Sequence, residues 1–179
     1  MAIPKECLVS YQEWLEIDWK ENERAELIDG RIYMMSAPSL RHQIVLGNLH
    51  GQLYSHLRGK NCKVLLSPFA VRLNDDTEVQ PDLIVVCDPK KLMTTGYKGA
   101  PDLIVEILSP STSRYDKQTK FMLYLRSGVP EYWIIDPSDN TITAFRLSDN
   151  GYNAEIFTDV ATINALPGFE MDLAVTFEE

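Results

Sequence analysis

Two carboxylates lie at or inside stretches of the sequence that are otherwise built for burial. Asp82 directly precedes the apolar residues 83–87, so a strand that begins there would place its carboxylate at the edge of a sheet. Glu106 lies within the apolar residues 103–108, where valine or leucine would be the ordinary choice. Since a carboxylate buried without a cation or a hydrogen-bond donor is costly, Glu106 predicts a partner of one of these kinds nearby.

Both acids also have ordinary explanations. Asp82 and Asp102 each follow a proline, and aspartate commonly caps a turn at such a position. This is the interpretation we favour for Asp102. Glu106 could point outward from a half-exposed strand, but alternation along the strand would give it the apolar neighbours Ile104 and Leu108 on its own face, which favours burial.

The lysines that follow in the chain are the candidate partners. A helix over residues 114–126 would carry Lys117, Lys120 and Tyr124 on one face, because side chains three and four residues apart are neighbours on a helix. Since this helix begins just after the strand of Glu106, it would bring one lysine back to the end of that strand. Lys120 also follows an aspartate by four residues, which is typical of a solvated ion pair, and on the residues alone this second interpretation is the stronger one.

Helices and strands alternate around these residues. The capping box of residues 10–13 predicts a short helix, and Asp29-Gly30 predicts the two-residue turn of a β-hairpin. Apolar residues at three- and four-residue intervals predict a long helix from about residue 39 to residue 58. Short runs rich in valine, isoleucine and leucine predict strands at residues 63–67, 69–73, 83–87, 103–108, 132–135, 141–147 and 153–158. The order of elements indicates a mixed α and β protein.

The length and charge of the chain limit what it can be. Its 179 residues fit one domain, residues 1–179, and 45% hydrophobic with 24% charged residues are typical of a soluble globular protein. Seventeen basic residues against 26 acidic ones leave a formal net charge of −9. This charge argues against a protein that coats nucleic acid or anionic membrane by bulk attraction, although it is compatible with a local basic groove.

Neither a membrane segment nor an export signal is predicted. The apolar runs are far shorter than the roughly 20 residues of a membrane-spanning helix, and the N-terminal residues lack the apolar stretch of a signal peptide, so we expect a cytoplasmic protein. The three histidines lack the spacing of a zinc motif. The three cysteines are widely spaced, which favours reduced core cysteines over a disulfide or a zinc site: Cys7, Cys62 and Cys87.

The acids and the lysine together resemble a known nuclease motif. Pro81-Asp82, then Glu106 on a following strand and Lys120 on the adjoining helix, look like the migrated-lysine form of the PD-(D/E)XK motif. The surrounding sequence resembles the Uma-type family of restriction endonucleases over about residues 10–167. The segments that carry this resemblance are residues 26–30, 80–83, 105–112 and 128–137.

This resemblance implies a restriction-endonuclease-like core, an α+β fold in which a central mixed β-sheet is flanked by helices. It also implies that Asp82 and Glu106 bind Mg²⁺, for which Mn²⁺ would substitute, and that Glu26 can complete the metal site. The implied activity is an endonuclease that hydrolyses the phosphodiester bonds of DNA. The chemistry suits these residue types, because Mg²⁺ prefers oxygen ligands and activates a bound water.

One position departs from the plain form of the motif. Leu108 stands two residues after Glu106, where that form has its lysine, so the catalytic lysine must come from the helix. Lys120 is the predicted lysine, and Lys117 is its competitor. If neither reached the metal, the fold would serve as a non-catalytic module that binds nucleic acid or protein, and this is the alternative function.

Further residues are secondary candidates for the site. His42 would either face it from the long helix or belong to the rim of the core. Gln80 would either hydrogen-bond a metal-bound water or the lysine, or lie in solvent. Arg114 and Lys117 are candidate DNA contacts on the second helix. A homodimer formed through the hairpin that includes residues 141–147 is a hypothesis based on the habits of the fold.

Overall fold

The computed structural model describes residues 8–21, 23–109 and 116–179. Its helices are α1 (Tyr11–Leu15), α2 (Leu40–Leu57), α3 (Phe121–Arg126) and α4 (Leu173–Thr176). A π-helical turn, Asp116–Lys120, leads directly into α3, and a 3₁₀ turn spans Pro89–Lys91. No helix in these ranges is both long enough and apolar enough to cross a membrane.

The described ranges also contain thirteen strands. They are β1 (Ala25–Ile28), β2 (Arg31–Met34), β3 (Lys63–Leu66), β4 (Ala70–Asn74), β5 (Thr77–Val79), β6 (Leu83–Val86), β7 (Gly96–Lys98), β8 (Leu103–Ile107), β9 (Glu131–Asp136), β10 (Thr141–Ser148), β11 (Gly151–Phe157), β12 (Val160–Thr162) and β13 (Glu170–Asp172).

Three local signals in the sequence fold as predicted. The Ser10 hydroxyl accepts from the Glu13 N–H, and the Glu13 carboxylate accepts from the Ser10 N–H at 2.8 Å, so the capping box begins α1. Asp29 and Gly30 join β1 to β2 with φ angles of 51° and 72°, the left-handed pair that a type I′ hairpin turn requires. The side chain of Ser39 caps α2, whose buried residues form the predicted apolar stripe.

Two sheets make up most of the fold. The larger has six strands in the order β11-β10-β9-β8-β6-β3, in which β8 and β9 are parallel and the other neighbours antiparallel. The smaller has five strands in the order β2-β1-β5-β4-β7, in which β4 and β7 are the parallel pair. β12 and β13 form a separate two-stranded ribbon. The central sheet is mixed, and the predicted fold class is confirmed.

The six-stranded sheet is covered on both faces. The stripe of α2 packs on one face, while α3 and residues of the five-stranded sheet pack on the other. Alternation along β8 divides its side chains between the two cores: Leu103, Val105 and Ile107 join the α2 side, and Ile104 joins the α3 side. Glu106 therefore lies on the α3 side, in line with Ile104.

The elements that the sequence did not predict are short: four strands, the helix α4 and the 3₁₀ turn. β5, β7, β12 and β13 have three residues each. A segment of this length contains too few residues for the two-residue period of a strand to be recognised. The predicted start of the second long helix, at residues 111–113, falls outside the described residues.

The expectation of reduced cysteines is wrong for two of the three. Cys62 and Cys87 form a disulfide, with their Cα atoms 4.0 Å apart. Lys63 pairs with Val86 in the antiparallel register of β3 and β6, so the residue before Lys63 lies opposite the residue after Val86. Strand pairing across 25 residues of chain produces this proximity, which the wide spacing in the sequence concealed. Cys7 lies outside the described residues.

Candidate active site

Strand β8 holds Glu106 against a cation from the helix that follows. The Lys120 Nζ donates to Glu106 Oε1 at 2.7 Å and to Glu26 Oε1 at 3.0 Å, so one ammonium joins two carboxylates. Glu106 is 4% exposed, Lys120 3% and Glu26 2%. Because the three residues are buried, solvent screens their charges poorly. Lys120 is thus the predicted partner of Glu106. The alternatives of an outward-pointing Glu106 and a solvated Lys120 are wrong.

Tyr124 is a further donor to this cluster. Its hydroxyl donates to Glu106 Oε1 at 2.7 Å, the same oxygen that accepts from Lys120. Burial first, and then the charges of Glu106 and Glu26, raise the pKa of Tyr124 well above its ordinary value, so the hydroxyl keeps its proton. Because Tyr124 follows Lys120 by four residues, the same side of one helix delivers both donors.

Asp82 lies beside Glu106 because of the register of β6 and β8. Leu83 pairs with Val105, and continuing the antiparallel pairing by one residue brings Asp82 opposite Glu106. The Ile107 N–H donates to Asp82 Oδ2 at 2.8 Å, which fixes the carboxylate against the edge of β8. The interpretation of Asp82 as a simple turn cap is therefore wrong, since its bond crosses to the neighbouring strand.

His42 reaches the same carboxylate from the first turn of α2. Its Nε2 lies 3.0 Å from Asp82 Oδ2, and its side chain is buried. Nδ1 is also buried and has no hydrogen-bond partner among the described residues, which favours the tautomer in which Nε2 carries the proton and donates to Asp82. Both predicted alternatives hold for His42, because its side chain faces the site and is also buried at the rim of the core.

Gln80 connects the acid cluster to an arginine. Its backbone N–H donates to Glu26 Oε1 at 2.8 Å, and its side-chain Oε1 accepts from Arg24 Nε and Nη2 at 3.3 and 3.1 Å. Arg24 Nη2 also donates to Ser67 Oγ. Both the backbone and the side chain of Gln80 are engaged, so the alternative of a glutamine in solvent is wrong.

Most of these polar side chains, with the exception of Gln80 and Tyr124, line one cavity of about 190 Å³. Residues 33–38, which comprise the end of β2 and part of its connection to α2, form a largely apolar part of the lining. The volume is below the roughly 300–1,000 Å³ of pockets for drug-sized ligands. The acidic and basic residues of the lining are Arg24, Glu26, His42, Asp82, Glu106 and Lys120.

The carboxylates of the cavity are suitable ligands for a hard divalent cation, but three of them do not converge on one point. Glu26, Asp82 and Glu106 all line the cavity and offer the oxygen ligands that Mg²⁺ prefers. Across the part of the chain that the structure describes, no three His, Cys, Asp or Glu side chains converge closely enough to hold a metal ion. The Lys120 ammonium instead bonds one oxygen each of Glu26 and Glu106. One or two carboxylates suffice for Mg²⁺ when water and a substrate phosphate supply its other ligands.

Asp102, unlike the three carboxylates above, does not line the cavity. The Asp102 Oδ2 accepts from the Cys87 N–H at 2.7 Å. The role of Asp102 is therefore structural, as we favoured, but its bond joins the ends of two neighbouring strands and does not cap a turn. Arg114 and the side chain of Lys117 lie outside the described part of the chain. Their proposed contacts with DNA, and the competition of Lys117 with Lys120, stay predictions.

Arg24 is a site residue that the sequence pattern did not single out, and the pattern placed Tyr124 on the helix face of Lys120 without a role in the site. Arg24 precedes Glu26 by two residues, and such residues share one face of a strand. Tyr124 shares a helix face with Lys120. Each signal was present in the sequence, but each gained meaning only beside an acid or a lysine already assigned to the site.

The chain is similar to known proteins over most of its length. A family model described as "Uma2: Putative restriction endonuclease" matches residues 9–176. A Synechocystis protein, "Uncharacterized protein slr1290", is 31% identical over 145 residues, which cover 80% of this chain and 76% of the relative. A second Synechocystis protein, "Uncharacterized protein sll1609", is 24% identical over 140 residues, or 76% of this chain and 79% of the relative.

A solved structure has the same fold. It is described as that of "a putative nuclease belonging to DUF820" from Anabaena variabilis, and it superposes with a TM-score of 0.79 at 19% sequence identity. The superposition covers 94% of this chain and 97% of the other.

Proposed function

The chain belongs to the Uma2 family of restriction-endonuclease-like proteins, and from that premise we propose that it is a Mg²⁺-dependent endonuclease that hydrolyses the phosphodiester bonds of DNA. The family and the fold support a nuclease. The metal, the substrate and the residue roles below are the finer parts of the proposal.

The convergence of Asp82, Glu106 and Lys120 on one cavity supports this proposal most directly. Asp82 directly precedes β6, Glu106 lies in β8 and Lys120 ends the π-helical turn, and the shared lining includes all three. Hydrolysis of a phosphodiester requires oxygen ligands for a divalent ion and a positive charge near the developing negative charge. The described side chains supply both within a small, partly enclosed volume.

In this proposal Asp82 and Glu106 are the metal ligands, and Glu26 is an additional acid of the metal site. The Ile107 N–H and His42 hold Asp82 in a fixed orientation. Mg²⁺, when bound, would lower the pKa of a water and polarise a phosphoryl oxygen.

Lys120 is the proposed catalytic lysine. Its ammonium contacts Glu106 in the structure, so it would lie beside any phosphate that reaches the same acids. A positive charge in this position stabilises the negative charge that develops on the phosphate, and it acts strongly because the residue is 3% exposed.

Formation of a homodimer is a separate proposal, which sedimentation equilibrium would test.

Cleavage of supercoiled plasmid DNA by the purified protein tests the function. We expect nicking or linearisation in the presence of Mg²⁺ or Mn²⁺, and a loss of rate of about a hundredfold or more in Asp82→Asn and in Glu106→Gln. Asp102→Asn is the matched control, because its carboxylate bonds a backbone N–H away from the cavity.

Two outcomes would contradict the proposal. Wild-type rates in both variants would remove Asp82 and Glu106 from the mechanism. A wild-type protein that neither cuts DNA nor shows calorimetric heat with Mn²⁺ would favour the non-catalytic binding module.

A further inference from the structure

Arg24 is a half-buried cation whose hydrogen-bond partners in the described chain are neutral. Its Nε and Nη2 donate to Gln80 Oε1, and Nη2 also donates to Ser67 Oγ. No carboxylate of the described residues forms an ion pair with it. A cation that is partly removed from water without a counter-ion is costly, so its retention at this place points to an anionic ligand.

The position of Arg24 is set by the first hairpin. Its carbonyl accepts from the Met35 N–H at 2.8 Å, which extends the pairing of β1 and β2 by one step towards the cavity. Gln80 holds the guanidinium with its side chain and Glu26 with its backbone N–H, so Arg24 is oriented relative to the acid cluster. The orientation exists before any ligand binds, and this lowers the entropy lost on binding.

The charges of the cavity favour a phosphate together with a divalent cation. Among the described lining residues, three carboxylates stand against the cations Arg24 and Lys120, which leaves one net negative charge when His42 is neutral. Lys120 is engaged with Glu26 and Glu106. A divalent cation would reverse the sign of the net charge, and a phosphate would then be attracted to the cavity.

We propose that Arg24 binds a backbone phosphate of the nucleic-acid substrate. Nε and Nη2 make the three bonds to Gln80 and Ser67, and Nη1 takes part in none of them, so the two N–H groups of Nη1 are the donors proposed to reach the phosphate oxygens. The inference rests on the proposed nuclease function for its choice of substrate. It adds a residue that binds the sugar-phosphate backbone of that substrate.

Binding can be measured separately from cleavage in the Glu106→Gln background. The probe is a fluorescein-labelled single-stranded DNA oligonucleotide, and the readout is fluorescence anisotropy over a range of salt concentrations. We expect Arg24→Gln to weaken binding about tenfold and to reduce the slope of log affinity against log salt by about one. Arg24→Lys keeps the charge but not the planar guanidinium that bonds Gln80 and Ser67 while Nη1 faces the ligand, so it should retain the salt slope and bind several-fold more weakly than the parent.

Arg126→Gln is the matched control. Arg126 is half-exposed and already contacts both oxygens of the Asp29 carboxylate, so its removal should leave the affinity within about twofold. Equal losses in Arg24→Gln and Arg126→Gln would indicate bulk charge alone and would overturn the inference. So would parent-like affinity in Arg24→Gln or, if that variant fails to fold, parent-like affinity in Arg24→Lys.

A gel of the oligonucleotide after each titration separates the two proposals. Cleavage that persists in the Glu106→Gln background would count against the proposed mechanism, whereas the comparison of Arg24 with Arg126 variants would still decide the phosphate contact.

Discussion

Two parallel neighbouring strands, β8 and β9, each bury one glutamate, and the surroundings of the two glutamates differ. On β9, Glu131 accepts from the Trp133 Nε1 at 2.7 Å, from the Arg146 Nε at 3.3 Å and, through its other oxygen, from the Asn164 N–H at 2.8 Å. Its side chain is 1% exposed and lies away from the cavity of the candidate site. Glu131 is a carboxylate satisfied by fixed donors on both oxygens.

Glu106 on β8 has a different set of neighbours. It shares the ammonium of Lys120 with a second carboxylate, Glu26, and it lines a cavity together with Asp82. Burial of an acid in a strand therefore does not by itself indicate function. The difference lies in like charges brought together beside an open volume, an arrangement that stabilises a bound cation better than it stabilises the fold.

The largest expected effect comes from neutralising each glutamate in turn. Glu106→Gln should reduce DNA cleavage about a hundredfold or more, while Glu131→Gln should leave the activity per folded molecule unchanged and lower the free energy of unfolding by about 3 kcal/mol. Cleavage assays and urea denaturation measure the two effects. Loss of activity in folded Glu131→Gln would break the distinction between the two acids.

Removing the shared ammonium should produce the next largest effect. Lys120→Met leaves Glu26 and Glu106 buried without their cation, so we expect a loss of about 3–5 kcal/mol in metal-free buffer together with loss of cleavage. Because Mn²⁺ can replace the missing positive charge, it should raise the melting temperature of Lys120→Met more than that of the wild type.

Calorimetric scans with and without Mn²⁺ measure this difference. Lys63→Met is the control, since Lys63 is exposed and donates to a backbone carbonyl. Equal shifts in all three proteins would contradict a role for Lys120 as the resident cation of the acid pair.

Removal of one hydroxyl should have the smallest effect. Tyr124→Phe deletes a donor to Glu106 and should weaken Mn²⁺ binding about tenfold, whereas Tyr152→Phe deletes a similar bond to the Val129 carbonyl and should leave Mn²⁺ affinity unchanged. Each variant should lose about 1 kcal/mol of stability. Isothermal titration calorimetry measures the affinities, and equal affinities in the two variants would confine Tyr124 to a structural role.

The same pair of variants has an expected pH dependence. The pKa of Tyr124 in the folded protein is raised above its ordinary value, so its contribution to stability is fully present below about pH 10 and is lost as the pH rises towards the folded pKa. The effect of Tyr124→Phe on Mn²⁺ affinity should therefore be constant from about pH 6 to about pH 9.

Local patterns made the core of the site predictable. Glu106 breaks an apolar alternation, Asp82 precedes a buried strand, and Lys120 follows on a helix face, so sequence and resemblance together named the three residues. Arg24 escaped notice because an arginine before a hairpin strand is ordinary. Its meaning comes from the cavity it lines and from partners such as Gln80, 56 residues away in the chain.

The disulfide is a second feature that the local sequence did not reveal. Wide spacing of Cys62 and Cys87 favoured free thiols, and the pairing of β3 with β6 brought them together. The separation of two residues along the chain says little about whether they become neighbours across a sheet, because the register of the strands is set by the packing of whole strands.

The sequence by itself determined the capped helices, the type I′ turn and the alternation that buries Glu106, because each depends on residues within a few positions of one another. Only the tertiary structure decided which groups surround that acid. Lys120 meets Glu26 across 94 residues of chain, and His42 meets Asp82 across 40. Such contacts form when two sheets and two helices pack around one cavity, and no local preference of the chain specifies them.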